Sequence, residues 1–454
     1  MIAVDERDLK LVIESKASLL LAEASRFLTE QNVEWYVVGG FVRDLLLGRA
    51  TADIDIAVAA DALKIAQQVA GALGGKYVLL DKANRLGRVV LADEAAPSAG
   101  QRVLDFTTFE GNIERDLIRR DFTIDAMAVE LQELARDHID VQLIDPFNGQ
   151  ADLQQGVVRA VTDETFTSDA VRLLRAVRLA AELDFSISHD TEELIRRCSH
   201  LIGGVAGERV REELLRILTV PRSDWLLPYL VDLGLLTAII PELAQAQGVT
   251  QPKEHFWNVF DHSLMTVAAV DFLLRQGKWE YAGDEVLAAV PWSEKLAQHF
   301  ASVVSSGSNR RLMLKLAALL HDIAKPQTKA TEASGRTRFL GHARDGAAAA
   351  VTILERLRFS GKEIRMVEAM IEHHMRPTQM TQEKLPSNRA IYRYFRDTGD
   401  AGVDILFLSL ADHLATRGPN LTLTGWQEHV DIIPLITPWK CLPTSARNHR
   451  PSIL

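Results

Sequence analysis

Cysteine is nearly absent from this chain: two in 454 residues, Cys198 and Cys441, far apart and in no metal-binding spacing. That excludes a disulfide framework and fits a reducing compartment. Long hydrophobic runs are lacking as well. No stretch approaches the ~20 apolar residues that cross a bilayer, and segments such as "LMLKLAALLH" carry a lysine or end at charge. The N-terminus, "MIAVDERDLKLVIESKASLL", puts acids ahead of its apolar residues, the reverse of a signal peptide, and is expected to form an amphipathic helix. Together these absences predict a cytoplasmic protein with no membrane partner. Internal repeats and sustained low-complexity segments are also missing. Basic residues are not in excess: 51 Lys and Arg stand against 61 Asp and Glu, a net charge of −10. A protein that coats nucleic acid nonspecifically is thereby disfavoured, but a local basic groove is not, since phosphate contacts depend on local potential.

What is present describes a soluble globular protein, 47% hydrophobic and 25% charged. The length implies two to four domains. After an N-terminal helix (1–30), residues 31–160 read as an α/β unit. "EWYVV" and "ADIDIAV" are strands flanking a short helix, "GFVRDLLL"; "DALKIAQQVAGAL" is a helix closed by Gly74-Gly75; "KYVLLD", "GRVVLA" and "QRVLDFTTF" are further strands. After "DPFNGQADL" the strand signals nearly vanish. Residues 161–240 and 241–430 read as two helical regions, and 431–454 as a tail without periodicity. The expected class is α+β, an α/β head followed by all-α regions.

Asp53 and Asp55 sit two apart in a predicted strand, so they share a face while Ile54, Ile56 and Val58 point to the other. Two such carboxylates repel unless a cation lies between them, and Mg²⁺ suits carboxylates together with phosphate oxygens. Asp105, on another strand, completes the acid set for a two-metal phosphoryl displacement. Gly39-Gly40 end a strand and open a helix whose free N–H groups suit phosphate, with Arg43 one turn inside. Farther on, Arg172, Arg175 and Arg178 fall at helical spacing and form one polar ridge. Between 159 and 216 there are nine arginines, no lysine and eleven acids, a pattern expected of a face for RNA or triphosphate.

"GGFVRD" followed by "DIDI" resembles the first motif of class II tRNA nucleotidyltransferases and the related bacterial poly(A) polymerases. Three more motifs follow in order: "RRDFTIDAMA" (119–128), "DPFNGQADL" (145–153) and "SDAVRLLRAVR" (168–178). The resemblance implies a polymerase-β-like head with catalytic Asp53, Asp55 and Asp105. It implies nucleotide contacts from Gly39, Gly40, Arg43, Arg119, Arg120 and Asp121. Asp169 and Arg172 would present Watson–Crick-like edges to the incoming base, with Arg175 and Arg178 beside them. The partners implied are tRNA, CTP and ATP. Two departures stand out: Asp125 where the family often has Asn, and Ser168 where it usually has Glu. Only "FTTFEGNIERDLI" separates Asp105 from Arg119. CCA-adding and A-adding relatives usually carry a longer flexible loop there, and its loss is associated with addition of the two cytidines alone. Full CCA addition, CC-only addition and poly(A) synthesis stay open at this level.

A second constellation lies downstream. His262, His321-Asp322 in "LLHDIAKP", His342, His373-His374 and Asp412 all fall in predicted helices, and imidazole with carboxylate suits Mn, Fe, Ni, Zn or Mg. The order of His262, His321, Asp322 and Asp412 resembles the HD phosphohydrolase superfamily. That resemblance implies a divalent transition metal or Mg²⁺, with His342, His373 and His374 available to a second ion and Lys325 neutralising a phosphate. Enzymes that uridylylate a signalling protein and remove the group with an HD domain combine the same two modules. The RNA-type motifs and the absence of a β-rich sensing C-terminus weigh against them. A non-enzymatic RNA-binding module would leave both acid–histidine sets without a purpose.

Overall fold

The computed structural model of the protein describes residues 8–12, 15–49, 53–83, 85–91, 102–134, 138–381 and 386–431. Cys441 and the tail after 431 lie outside them. The described chain divides into two compact units, the first comprising residues up to Arg172 with Glu182–Cys198, the second Leu173–Ala181 with residues from Ser199 on. The predicted α+β class is correct.

The first unit is built on an eight-stranded sheet. In chain order its strands and helices are β1 (Asp8–Val12), α1 (Ser15–Glu30), β2 (Trp35–Val38), α2 (Gly40–Leu46), β3 (Asp53–Val58), α3 (Ala62–Ala72), β4 (Lys76–Asp81), β5 (Leu86–Leu91), β6 (Arg102–Thr108), α4 (Ile113–Leu117), β7 (Ala128–Leu134), β8 (His138–Ile144) and α5 (Gly149–Gln155). The strand order is β1-β8-β7-β2-β3-β6-β5-β4. Within this sheet β3 and β6 run parallel and the remaining neighbours antiparallel. Two sequence expectations need correction. The helix expected from residue 1 starts at Ser15, because Asp8–Val12 alternates polar and apolar at period two and pairs with β8. The hairpin of β7 and β8 lies in "AVELQELARDHIDVQLI", where no strand was expected.

Both faces of the sheet are covered. Ile54, Ile56, Leu104, Phe106 and Val89 are buried on the side where α3 packs through Ile65, Ala66 and Val69. Gly87 permits that approach, since a Cβ there would lie 3.0 Å from the Ala66 methyl. On the opposite face Ala57 and Val38 pack with Phe109, Ile113 and Leu117 of the α4 region. Asp53 and Asp55 lie on that second face, beyond the edge of the packed cluster.

The second unit is helical. Its central helix, Val259–Leu273, is buried on nearly all sides and packs against Arg310–Leu320 and Gly402–Arg417. The lysine inside "LMLKLAALLH" is Lys315, 1% exposed. Its ammonium lies 2.6 Å from Asp271 Oδ1 and donates to the Leu218 carbonyl at 2.7 Å, near the end of the helix Gly207–Thr219. Burial lowers its pKa, an effect Asp271 only partly offsets. Asp271 in turn accepts from the Ser223 N–H at 3.2 Å, so one ion pair ties four helical segments together. Breaking a buried pair by removing one partner costs about 3–5 kcal/mol, because the other charge is stranded. Lys315→Met is therefore expected to lose stability of that order in urea unfolding, and K315M/D271N, which removes the stranded charge, to regain much of it.

Candidate functional sites

The parallel register of β3 and β6 sets Asp55 directly opposite Asp105. Residues paired across neighbouring strands project to the same face, so Asp53, Asp55 and Asp105 converge on one side of the sheet. Neighbouring strands are about 4.8 Å apart, within range of a shared cation. The three carboxylates fit a Mg²⁺ site in donor type and spacing, being hard oxygen ligands on one rigid face.

Gly39 ends β2 at φ +71° and ψ −142°, a conformation open to glycine. The space beside it is also taken. A Cβ would lie 2.7 Å from an Arg120 guanidinium nitrogen and 3.1 Å from Asp55 Oδ2. Arg120 and the metal-facing carboxylate thus close over the glycine, and Arg120 is held by Asp116 at 3.2 Å. Gly40 lies beneath the Arg43 guanidinium. Arg43, expected at the triphosphate, is drawn to the buried Asp125 at 2.7 Å and to Asp44 at 2.9 Å. The Asp that replaces the family's usual Asn therefore holds a full ion pair.

The 119–128 motif follows α4 as a turn, a short 3₁₀ segment, Thr123–Asp125, and the first residue of β7. It is anchored from the next motif: Thr123 donates to Asp152 at 2.7 Å, and Arg159 grips the same carboxylate at 3.1 Å. Asp145 accepts from the N–H groups of Gly149 and Gln150. Gly149 sits so tightly on Thr123 that a Cβ would strike its carbonyl oxygen. Asp121 is buried and accepts from the Phe122 N–H. Arg119 is exposed and paired with Asp116, and its carbonyl accepts from Arg172 at 2.7 Å. Arg172 opens the helix Arg172–Leu183, and Asp169 turns the chain into it by accepting from Val171 N–H. Arg175 is half-buried. Arg178 departs from the expected ridge: it is 4% exposed and donates to Glu213 at 2.6 Å.

One residue of this site escaped the sequence reading. Arg88 on β5 lies opposite Asp105 and takes both its oxygens, Nε to Oδ1 at 2.8 Å and Nη2 to Oδ2 at 2.7 Å. Its signal was a lone arginine in an otherwise apolar strand, "LGRVVL".

The second site gathers residues from five helices and the turns at their ends. His262, His321 and Asp412 form one set of converging donor atoms, and Asp322, His342 and His374 another. His321-Asp322 lie just past the end of Arg310–Leu320, not inside a helix as expected. The Nδ1 atoms of His321, His342 and His374 lie 2.8, 2.6 and 2.7 Å from the carbonyls of Ala318, Phe339 and Ile371. A carbonyl can only accept, so each Nδ1 carries a proton, and in the neutral ring each Nε2 has its lone pair free for a metal ion. His342 Nε2 is buried without a hydrogen-bond partner, 3.6 Å from Asp322 Oδ1. This donor chemistry fits divalent ions.

Burial alone would raise the Asp322 and Asp412 carboxyls. His321 and Lys325 hold the first, and His262 the second, well below the usual range. His374 is pushed down to about 4 by burial and then by His321. Lys325 Nζ lies 2.6 Å from Asp322 and 2.7 Å from the Gln251 amide oxygen. The adjoining cleft, about 1260 Å³, is lined by Arg336, Arg338, Arg376 and Arg417 as well as by Lys325. His373 stands outside both sets, half-buried on the outer side of its helix. His255, unpredicted, lines the cleft with its ring 5.5 Å from that of His262. Among the described residues no helix is long and apolar enough to cross a membrane.

Comparison with known proteins places both sites in a family context. Residues 35–159 match the Poly A polymerase head domain, 184–247 the probable RNA and SrmB-binding site of polymerase A, and 286–417 the HD domain. The chain is 34% identical over 390 residues to the CC-adding tRNA nucleotidyltransferase of Thermus thermophilus, covering 84% of this chain and 76% of that one. It is 33% identical to the A-adding tRNA nucleotidyltransferase of Deinococcus radiodurans, covering 86% and 78%. In fold it is similar to the Thermotoga maritima CCA-adding enzyme complexed with tRNA, at a TM-score of 0.60 and 22% identity over 95% of this chain and 86% of that one. With relatives of that identity over that length, the chain belongs to the tRNA nucleotidyltransferase family.

Proposed function

We propose that this enzyme adds the two cytidines of the tRNA 3′ end from CTP, without a template, and stops before the adenosine. The observation that carries this is the connection after Thr108. Four residues, 109–112, join β6 to α4, and they are tied down. Phe109 is buried and its N–H donates to Val58 O at 3.0 Å, while Asn112 caps α4. A connection this short does not contain the long mobile loop that the resemblance associates with adenosine addition. The relatives in Thermus, Geobacter and Synechocystis are named CC-adding, although A-adding and CCA-adding relatives match as well, so the short connection carries the reading.

In this reading Asp53, Asp55 and Asp105 hold Mg²⁺, which when bound activates the terminal tRNA hydroxyl and stabilises the leaving pyrophosphate. Gly39-Gly40, Arg119, Arg120 and Asp121 seat the triphosphate and ribose, and Arg43 is set behind them by Asp125. Asp169, Arg172 and Arg175 offer the base a carboxylate and guanidinium edge, with Arg178 bracing their helix. The expected outcome with a tRNA transcript lacking its 3′ end is incorporation of two cytidines from labelled CTP. ATP with a transcript ending in CC should give no product. AMP addition to that transcript would overturn the CC-only reading. Asp53→Ala should lower cytidine addition by at least about 10³-fold.

The HD site serves as a metal-dependent phosphohydrolase, with two ions held by the two donor sets and Lys325 neutralising substrate phosphate. With two imidazoles and one carboxylate, each set suits a divalent transition metal better than Mg²⁺. His321→Ala is expected to abolish hydrolysis of bis(p-nitrophenyl) phosphate and of 2′,3′-cyclic nucleotides while sparing cytidine addition. His374→Ala should lower metal content, measured by mass spectrometry of the purified protein, while His373→Ala should leave it unchanged.

A further inference from the structure

Arg88 lies outside the four motifs named above, yet it makes a two-pronged contact with one of the site's acids. β5, β6 and β3 lie side by side, and their registers align Arg88, Asp105 and Asp55 in one row across the sheet. The guanidinium takes one lone pair from each Asp105 oxygen in a two-pronged contact. The second lone pair of each oxygen stays available to a metal ion or to the attacking hydroxyl. Asp105 is largely covered, at 13% side-chain exposure, while Arg88 keeps 34%.

A carboxylate set beside like charges would turn away from them. A planar fork anchored on the neighbouring strand prevents that, because it fixes the plane of the Asp105 carboxylate. We propose that Arg88 is a positioning residue for nucleotidyl transfer, acting through Asp105 by locking its carboxylate beside Asp55, and making no contact with the nucleotide. This rests on the reading of Asp53, Asp55 and Asp105 as the transfer site. Lysine at 88 would keep the charge and lose the fork, so charge and geometry can be separated.

The test uses the full-length protein, Mg²⁺, CTP and a tRNA transcript lacking its 3′ end, comparing R88M, R88K, D105N, R88M/D105N and D53A. Outer partners of metal ligands typically contribute 10–100-fold. R88M is therefore expected to lower kcat by about 10–100-fold with the CTP KM within about two-fold, and R88K to recover only part of the loss. In the D105N background R88M should cost nothing further, because the residue it acts through is already disabled. A raised CTP KM with kcat intact would overturn the proposal in favour of a direct triphosphate contact. Wild-type kinetics in R88M, or full additivity with D105N, would also overturn it. Thermal unfolding of each variant checks the fold; if R88M and its double do not fold, the kcat and KM of R88K decide alone. D53A separates the two levels: an active D53A defeats the site assignment itself, whereas an inactive D53A beside a wild-type R88M defeats this inference alone.

Discussion

Like charges brought together are the constraint around which the first unit is arranged. The parallel pairing of β3 with β6, in a sheet whose other described neighbours are antiparallel, sets Asp55 against Asp105 with Asp53 beside them. Left alone, these carboxylates would destabilise the strands that carry them. Their surroundings answer that repulsion with cations: Arg88 on Asp105, and Arg120 beside Gly39 and Asp55. Covalent economy follows from the same crowding. Gly39 has no side chain because two charged ones occupy its place, and Gly87 has none because α3 must lie close to hold the strands flat beneath the acids.

The second site meets the same problem with histidine. Asp322 lies buried and Asp412 partly covered among His262, His321, His342 and His374, and the imidazoles, with Lys325 at Asp322, hold both carboxyls in their charged form. Three of those rings are aimed by carbonyls three residues earlier in the chain. A helix end or turn supplies such a carbonyl, because its C=O groups lack intrahelical partners. That is why His321 and His374 stand where their helices stop and His342 where its helix begins. The interruption of the helix after Leu320 is thus part of the site.

Much of this was legible in the linear chain. Alternating and helical periodicities placed most head strands, and motif spacing brought Asp53, Asp55 and Asp105 to one sheet. Apart from the hairpin of β7 and β8, what was missed depends on packing or on a partner distant in sequence. Arg88 reads as an odd charge in an apolar strand until strand register supplies Asp105, seventeen residues on. His373 and His374 are equivalent in sequence, but neighbours on a helix point about 100° apart, and only the packing of Gly361–His373 decides which faces inward. Residues 8–12 read as helix because five alternating residues beside a long amphipathic helix are a weak strand signal; pairing with β8 makes them a strand.

The sequence by itself determined the class of fold, the order of the two regions and the acids and histidines proposed to carry their chemistry. Composition, periodicity and local motifs record such properties directly, because each is a matter of residues within a few turns or strands of one another. Tertiary structure alone decided which charges meet. Arg43 went to Asp125, Arg88 to Asp105, Arg178 to Glu213 and Lys315 to Asp271. Coulombic attraction does not depend on chain separation, and burial strengthens it by removing water. The choice among arginines and acids therefore waited on which of them the fold enclosed together.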